Sequence, residues 1–107
     1  MPISQYTPQQ LQQHIQDAPS VFLLDVREPH EFAYAQIAGS VLIPLQQLPS
    51  RIGEVPADQD VVVICHHGMR SQQACHFLQH SGFQRLFNLK GGIDAWSALC
   101  DSSVPRY

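Results

Sequence analysis

The sequence predicts a three-layer α/β/α domain around a mostly parallel central sheet of about five strands. Three observations predict it. Several short apolar runs, such as Val21-Phe22-Leu23-Leu24 and Val61-Val62-Val63-Ile64, lack the polar alternation of a half-exposed strand. Such runs suit strands buried on both faces, as in a parallel sheet. Segments with helical apolar spacing fall between them, and glycine or proline marks the junctions. The domain is expected to span residues 1–107 without repeat, linker or low-complexity tract.

The elements follow in order. Residues 3–6 are expected to form a short first strand. Thr7-Pro8-Gln9-Gln10 reads as a helix start: Thr7 caps, Pro8 suits the first helical position and Gln10 completes a capping box. Leu11, Ile15 and Ala18 fall on one face of that helix, and Pro19 ends it. Residues 21–26 are the second strand, and Arg27-Glu28-Pro29 breaks it. A short helix over 30–36 follows, then a turn at Gly39, a strand over 40–43 stopped by Pro44, and a helix over 45–52 that Pro49 shortens or bends. Leu45, Leu48 and Ile52 are its inward residues. Three valines and an isoleucine at 61–64 make the clearest strand. Residues 69–80 form a helix with Ala74, Phe77 and Leu78 on one face and Cys75 beside them, closed by Gly82. A last strand over 86–89, a turn at Gly91-Gly92 and a helix over 93–99 with Ile93 and Trp96 in the core complete the domain. Residues 101–107 are expected to be a surface segment.

Composition narrows the function. The 107 residues are 44% hydrophobic and 14% charged, with a net charge of −3. That describes a folded domain without the basic face that nucleic acid or an anionic membrane requires. The first six residues carry neither a basic n-region nor an apolar h-region. No apolar run approaches about 18 residues, so no signal peptide or membrane span is expected. Three cysteines are an odd count without a CxxC pair, which fits a reducing compartment, and a cytoplasmic location is expected.

The chemistry converges on residues 61–71. The strand over 61–64 delivers Cys65 to a short loop, and a helix begins directly after it. Backbone N–H groups and the positive helix end favour a thiolate there. Cys65 is therefore the candidate nucleophile. Gly68 allows the backbone conformation that the loop requires. Arg70 carries the loop's fixed charge, placed either to hold an anionic donor or to brace the loop by a salt bridge. Ser71 can cap the helix. His66 and His67 can contact a donor at the rim, or simply pack at the surface.

Three separated motifs resemble those of the rhodanese-like family, and of its single-domain thiosulfate sulfurtransferases in particular. They are Leu23-Leu24-Asp25-Val26-Arg27-Glu28 with Phe32 and Gly39, the loop Cys65-His66-His67-Gly68-Met69-Arg70-Ser71, and Leu89-Lys90-Gly91-Gly92-Ile93-Asp94-Ala95-Trp96. Two departures stand in the first motif: Ala35-Gln36-Ile37 replaces the family's usual Gly-His-Ile, and Ser40 stands where alanine is common. The resemblance implies transfer of a sulfane sulfur from thiosulfate or a persulfide donor, through a Cys65 persulfide, to cyanide or a thiol. It also implies that His66, His67, Gly68, Met69, Arg70 and Ser71 bind the substrate, that neither cofactor nor metal is needed, and that a sulfur-relay protein is a possible partner. Four residues separate Cys65 from Arg70. Phosphatases of the same fold have a loop one residue longer, wide enough for an oxyanion, so the shorter loop disfavours that activity.

Other residues read as structural. Asp25 and Arg27 are expected to pair and hold a turn near the site. Cys75 can resolve an oxidised Cys65, but burial as a small hydrophobe fits its helix face better. Cys100 lies nearer the surface. His76 and His80 have zinc-like spacing without a third ligand. Gly91-Gly92 lacks the context of a dinucleotide site.

Overall fold

The structure is a computed structural model that describes residues 3–17 and 20–107. It is a three-layer α/β/α fold. The strands are β1 (Ser4–Tyr6), β2 (Phe22–Asp25), β3 (Val41–Leu42), β4 (Val61–Ile64) and β5 (Leu86–Leu89). They form one five-stranded sheet of order β1-β5-β4-β2-β3, and every pairing is parallel. The helices are α1 (Pro8–Asp17), α2 (Pro29–Tyr34), α3 (Leu48–Arg51), α4 (Met69–His80) and α5 (Gly92–Leu99).

Side chains alternate across the central strand β4 and build one core on each sheet face. Val61 and Val63 join Leu24, Leu48, Ala74, Cys75 and Leu78 beneath α3 and α4. Val62 and Ile64 join Leu11, Leu23, Leu89, Ile93 and Trp96 beneath α1 and α5. Both faces of β4 are fully covered, which is why its sequence shows no polar alternation.

Local chemistry sets the helix starts. The Thr7 N–H donates to Gln10 Oε1 at 2.8 Å and the Gln10 N–H to Thr7 Oγ1 at 3.1 Å, the reciprocal box expected at α1. The calls on Ala18 and Pro19 lie outside the described residues. Pro29 does not merely break the second strand: it opens α2, behind a second box between Glu28 and Glu31. The helix expected over 45–52 is divided. Pro49 lies in the first turn of the four-residue α3, and 3-10 turns flank it at Leu45–Gln47 and Ile52–Glu54. The altered stretch 35–40 closes on its own bonds: Ser40 donates to the Ile37 carbonyl through Oγ at 2.6 Å and through N–H at 3.1 Å.

The tail lies at the surface as expected, except at one residue. Val104 is buried in the α1–α5 core, and Ser97 Oγ donates to its carbonyl. Tyr107 returns to the carboxyl edge of the sheet. Because all strands are parallel, the ends of β2, β4 and β5 meet at that edge, and Arg27, Cys65 and Gly91 follow within two residues. Among the described residues, no helix is long and apolar enough to cross a membrane.

Candidate active site

Cys65 ends β4 and is 1% exposed. Gly68 sits at φ +107°, a conformation that favours glycine, and this turns its N–H back to Cys65 Sγ at 3.0 Å. The Cys65 thiol donates to Ser71 Oγ at 3.3 Å, and Ser71 Oγ donates to Asn88 Oδ1. Ser71 therefore does not cap α4. Gly68 occupies the cap position, and Ser71, three residues later, aims its hydroxyl inward at the sulfur. The expected cradle of N–H groups is represented by the single Gly68 donor among the described bonds to the sulfur.

The loop is clamped at both ends. The Arg70 guanidinium forks onto Glu31 of α2, with Nη1 to Oε2 at 2.7 Å and Nη2 to Oε1 at 2.8 Å. Of the two roles left open for Arg70, the geometry takes the brace. Hydrogen bonding from Arg70 holds the Glu31 carboxyl down at about 2, and the same pair raises Arg70 above its ordinary value. At the other end, α5 grips the backbone: Ile93 N–H donates to the Cys65 carbonyl at 2.8 Å and Asp94 N–H to the His66 carbonyl at 3.2 Å. Gly92 makes this approach possible, since a Cβ there would lie 2.3–2.4 Å from the Cys65 and His66 backbone.

His66 and His67 stack with ring centroids 4.0 Å apart. His66 also stacks on Tyr107, at 4.0 Å and 8°. The Tyr107 hydroxyl donates to Glu31 Oε1 at 2.9 Å and accepts from Arg27 Nη1 at 2.8 Å. His67 is largely exposed, with Nε2 at 3.8 Å from the Asp94 carboxylate. His66, His67 and Asp94 hold donor atoms within 4.8 Å of one another, and Arg106 already pairs the Asp94 carboxylate at 3.0 Å. His76 and His80 belong to no such group among the described residues. The Met69 side chain points to solvent, 79% exposed, and is not brought to the sulfur.

Asp25 and Arg27 form the expected pair, wholly buried, with Nη2 to Oδ2 at 2.7 Å. Cys75 is fully buried; burial, followed by the nearby Cys65 charge, pushes its thiol up to about 12. It remains a neutral core group at ordinary pH. Glu31, Asn88 and Tyr107 are site residues that the sequence reading did not single out. Asn88 had a signal: it is a polar residue inside an apolar parallel strand.

The Glu31–Arg70 clamp carries a pH dependence. Glu31 has its carboxyl lowered from 4.5 to about 2, so its contribution is complete above pH 4.5 and is lost as pH falls toward 2. The stability difference between wild type and Glu31→Gln is therefore expected to be constant from pH 7 to 5, then to shrink progressively. Urea denaturation at stepped pH measures it; a difference that grows on acidification contradicts the clamp.

A cysteine at the end of β4, a six-residue loop closed by Arg70 and the first turn of α5 against that loop form an arrangement of the rhodanese type. The Rhodanese-like domain profile matches residues 7–99, and the chain belongs to that family. It is 39% identical over 95 residues to a sulfurtransferase of Allochromatium vinosum, covering 89% of each chain. It is 33% identical to the thiosulfate sulfurtransferase GlpE of Stutzerimonas stutzeri, covering 87% of this chain and 85% of that protein. Among solved structures it is similar to reduced CoADR-RHD of Bacillus anthracis, with a TM-score of 0.86 and 29% identity, over 95% of this chain and 18% of that one. Sulfur transfer is the general chemistry that these relatives support.

Proposed function

We propose that the protein is a sulfurtransferase whose residues 1–107 act as one rhodanese-like domain in the cytoplasm, and that Cys65 carries the transferred sulfur. In the first half-reaction the Cys65 thiolate attacks the outer sulfur of thiosulfate. The sulfur–sulfur bond of the donor breaks, sulfite leaves with the electron pair, and a Cys65 persulfide anion remains. A persulfide donor reacts likewise and leaves as its thiolate. In the second half-reaction the acceptor attacks the outer sulfur: cyanide becomes thiocyanate, a thiol becomes a persulfide, and the Cys65 thiolate returns. The observation that carries this reading is the Gly68 N–H aimed at Cys65 Sγ within a loop of this length. That donor stabilises a sulfur anion. His66, His67 and Met69 form the rim that a donor meets, and Arg70 keeps the loop in shape.

Initial rates over a grid of thiosulfate and cyanide concentrations test the two-step scheme. Parallel double-reciprocal lines are expected; converging lines would mean that both substrates must be bound together. Aryl phosphate is expected to release no phosphate, because the loop is one residue short for an oxyanion.

One observation favours a second reading, a carrier that takes sulfur from a protein partner. The loop's own guanidinium is committed to Glu31, and Cys65 is 1% exposed, which leaves little to capture a small dianion. A much faster reaction with a protein persulfide than with thiosulfate would select this reading; comparable rates would retire it.

A further inference from the structure

The sulfur stands at one end of a hydrogen-bond chain that runs in a single direction to the protein surface. The Cys65 thiol donates to Ser71 Oγ, and the Ser71 hydroxyl donates to Asn88 Oδ1. Asn88 Nδ2 donates to Gln5 Oε1 at 2.9 Å, and Gln5 Nε2 donates to Gln72 Oε1 at 2.9 Å. Gln72 Nε2 ends the chain beside His76 Nε2 at 3.2 Å. Asn88 also donates to the Gly68 carbonyl at 3.3 Å, so one amide on β5 touches both residues that contact the sulfur.

A serine hydroxyl has one proton. In this arrangement that proton lies on Asn88, and Ser71 meets the sulfur only as an acceptor. A thiolate or persulfide anion requires the opposite, a donor. Ser71 can supply it only by leaving Asn88 Oδ1, and Asn88 is itself nearly fully buried, at 4% exposure. An acceptor left unpaired there costs free energy. The amides of Asn88, Gln5 and Gln72 fix one another's orientation, so the preference is transmitted from the surface to the sulfur.

We propose that Asn88 is a positioning residue that competes with Cys65 for the Ser71 proton, and that Gln5 holds it in that role. The chain thus holds the Ser71 proton away from the sulfur. The proposal rests on reading Cys65 as the reactive group. Arg70, paired with Glu31, and Cys75 face Cys65 from α2 and α4, His66 and His67 follow it in the loop, and Asp94 with Arg106 lies beyond the histidines; none of these belongs to the chain, whose one titratable member besides Cys65 is His76 at its far end.

The test is the pH profile of Cys65 alkylation by iodoacetamide, with modification assigned by peptide mass mapping in a Cys100→Ser background. It needs no sulfur donor, so its outcome is separate from whether the protein transfers sulfur. Asn88→Ala is expected to raise the alkylation rate at pH 7 about three- to tenfold and to move the profile to lower pH. Gln5→Leu, an exposed change that leaves Ser71 and Asn88 in place, is expected to shift it the same way by less, and it answers the question if Asn88→Ala folds poorly. In a Ser71→Ala background both effects disappear. An unchanged or slower rate in Asn88→Ala and Gln5→Leu, or an equal change without Ser71, overturns the proposal.

Discussion

Arg27→Ala is expected to destabilise the protein by about 3–5 kcal/mol, because it strands a buried carboxylate. Arg27 and Asp25 are both completely buried at the end of β2. The guanidinium donates through Nε to both Asp25 oxygens at 2.9 and 3.0 Å, and through Nη2 to Oδ2 at 2.7 Å. It also donates to the Ala35 carbonyl at 2.5 Å, the Glu31 carbonyl at 3.3 Å and the Tyr107 hydroxyl. Burial works against the charge, but the Asp25 and Tyr107 bonds prevail and raise Arg27 above its ordinary value. Truncation thus leaves the buried Asp25 charge without its counter-ion and the Ala35 carbonyl without its guanidinium donor, while the Glu31 carbonyl keeps the Ala35 N–H. The loss is a large share of the roughly 5–15 kcal/mol that holds a domain of this kind together. Urea denaturation at pH 7 measures it. A double change, Asp25→Leu with Arg27→Met, removes both charges and is expected to recover part of the loss. A cost below about 1 kcal/mol for Arg27→Ala would contradict this account of the pair.

Gly92→Ala is expected to displace the loop itself. A Cβ at residue 92 would lie 2.3 Å from the His66 carbonyl oxygen and 2.4 Å from the Cys65 carbonyl oxygen. These are backbone atoms at the base of the loop, so neither can swing aside as a side chain would. The φ of Gly92 is +64°, which adds about 1–3 kcal/mol of strain for any other residue. Relief requires α5 to retreat, breaking the Ile93 and Asp94 N–H bonds to the loop carbonyls. A shift of about 1 Å in a reactive group can cost on the order of 100-fold in rate. Sulfur-transfer rate and thermal midpoint are both expected to fall. Gly53→Ala is the control, with nothing within 4 Å and no positive φ, and is expected to leave both nearly unchanged. Wild-type activity in Gly92→Ala would show that α5 does not set the loop.

The extent to which the sequence disclosed this site follows from the range of each interaction. β4, α4 and Gly68 were legible because local rules govern them: β-branched residues in a buried strand, helical spacing, and a glycine where the loop reverses. Cys65 at the strand end followed from the chain order. The partners were hidden because they arrive from a distance. Glu31 meets Arg70 across 39 residues, and Tyr107 meets Glu31 across 76. Nothing in the spacing of residues 101–107 announces that the tail returns to the loop. Ser71 was misread for a smaller reason. A serine near a helix start suggests a cap, but Gly68 takes that position and frees the hydroxyl for the sulfur. Gly91-Gly92 read as a turn, whereas Gly92 is the clearance that lets α5 touch the loop.

The central claim is that Cys65 carries the transferred sulfur. Intact-mass spectrometry after incubation with a panel of donors, including thiosulfate and an organic persulfide, tests it most directly. A gain of one sulfur atom on wild type is expected, located to Cys65, removed by cyanide and absent from Cys65→Ser. An unmodified wild type with every donor, or an equal gain in Cys65→Ser, would contradict it.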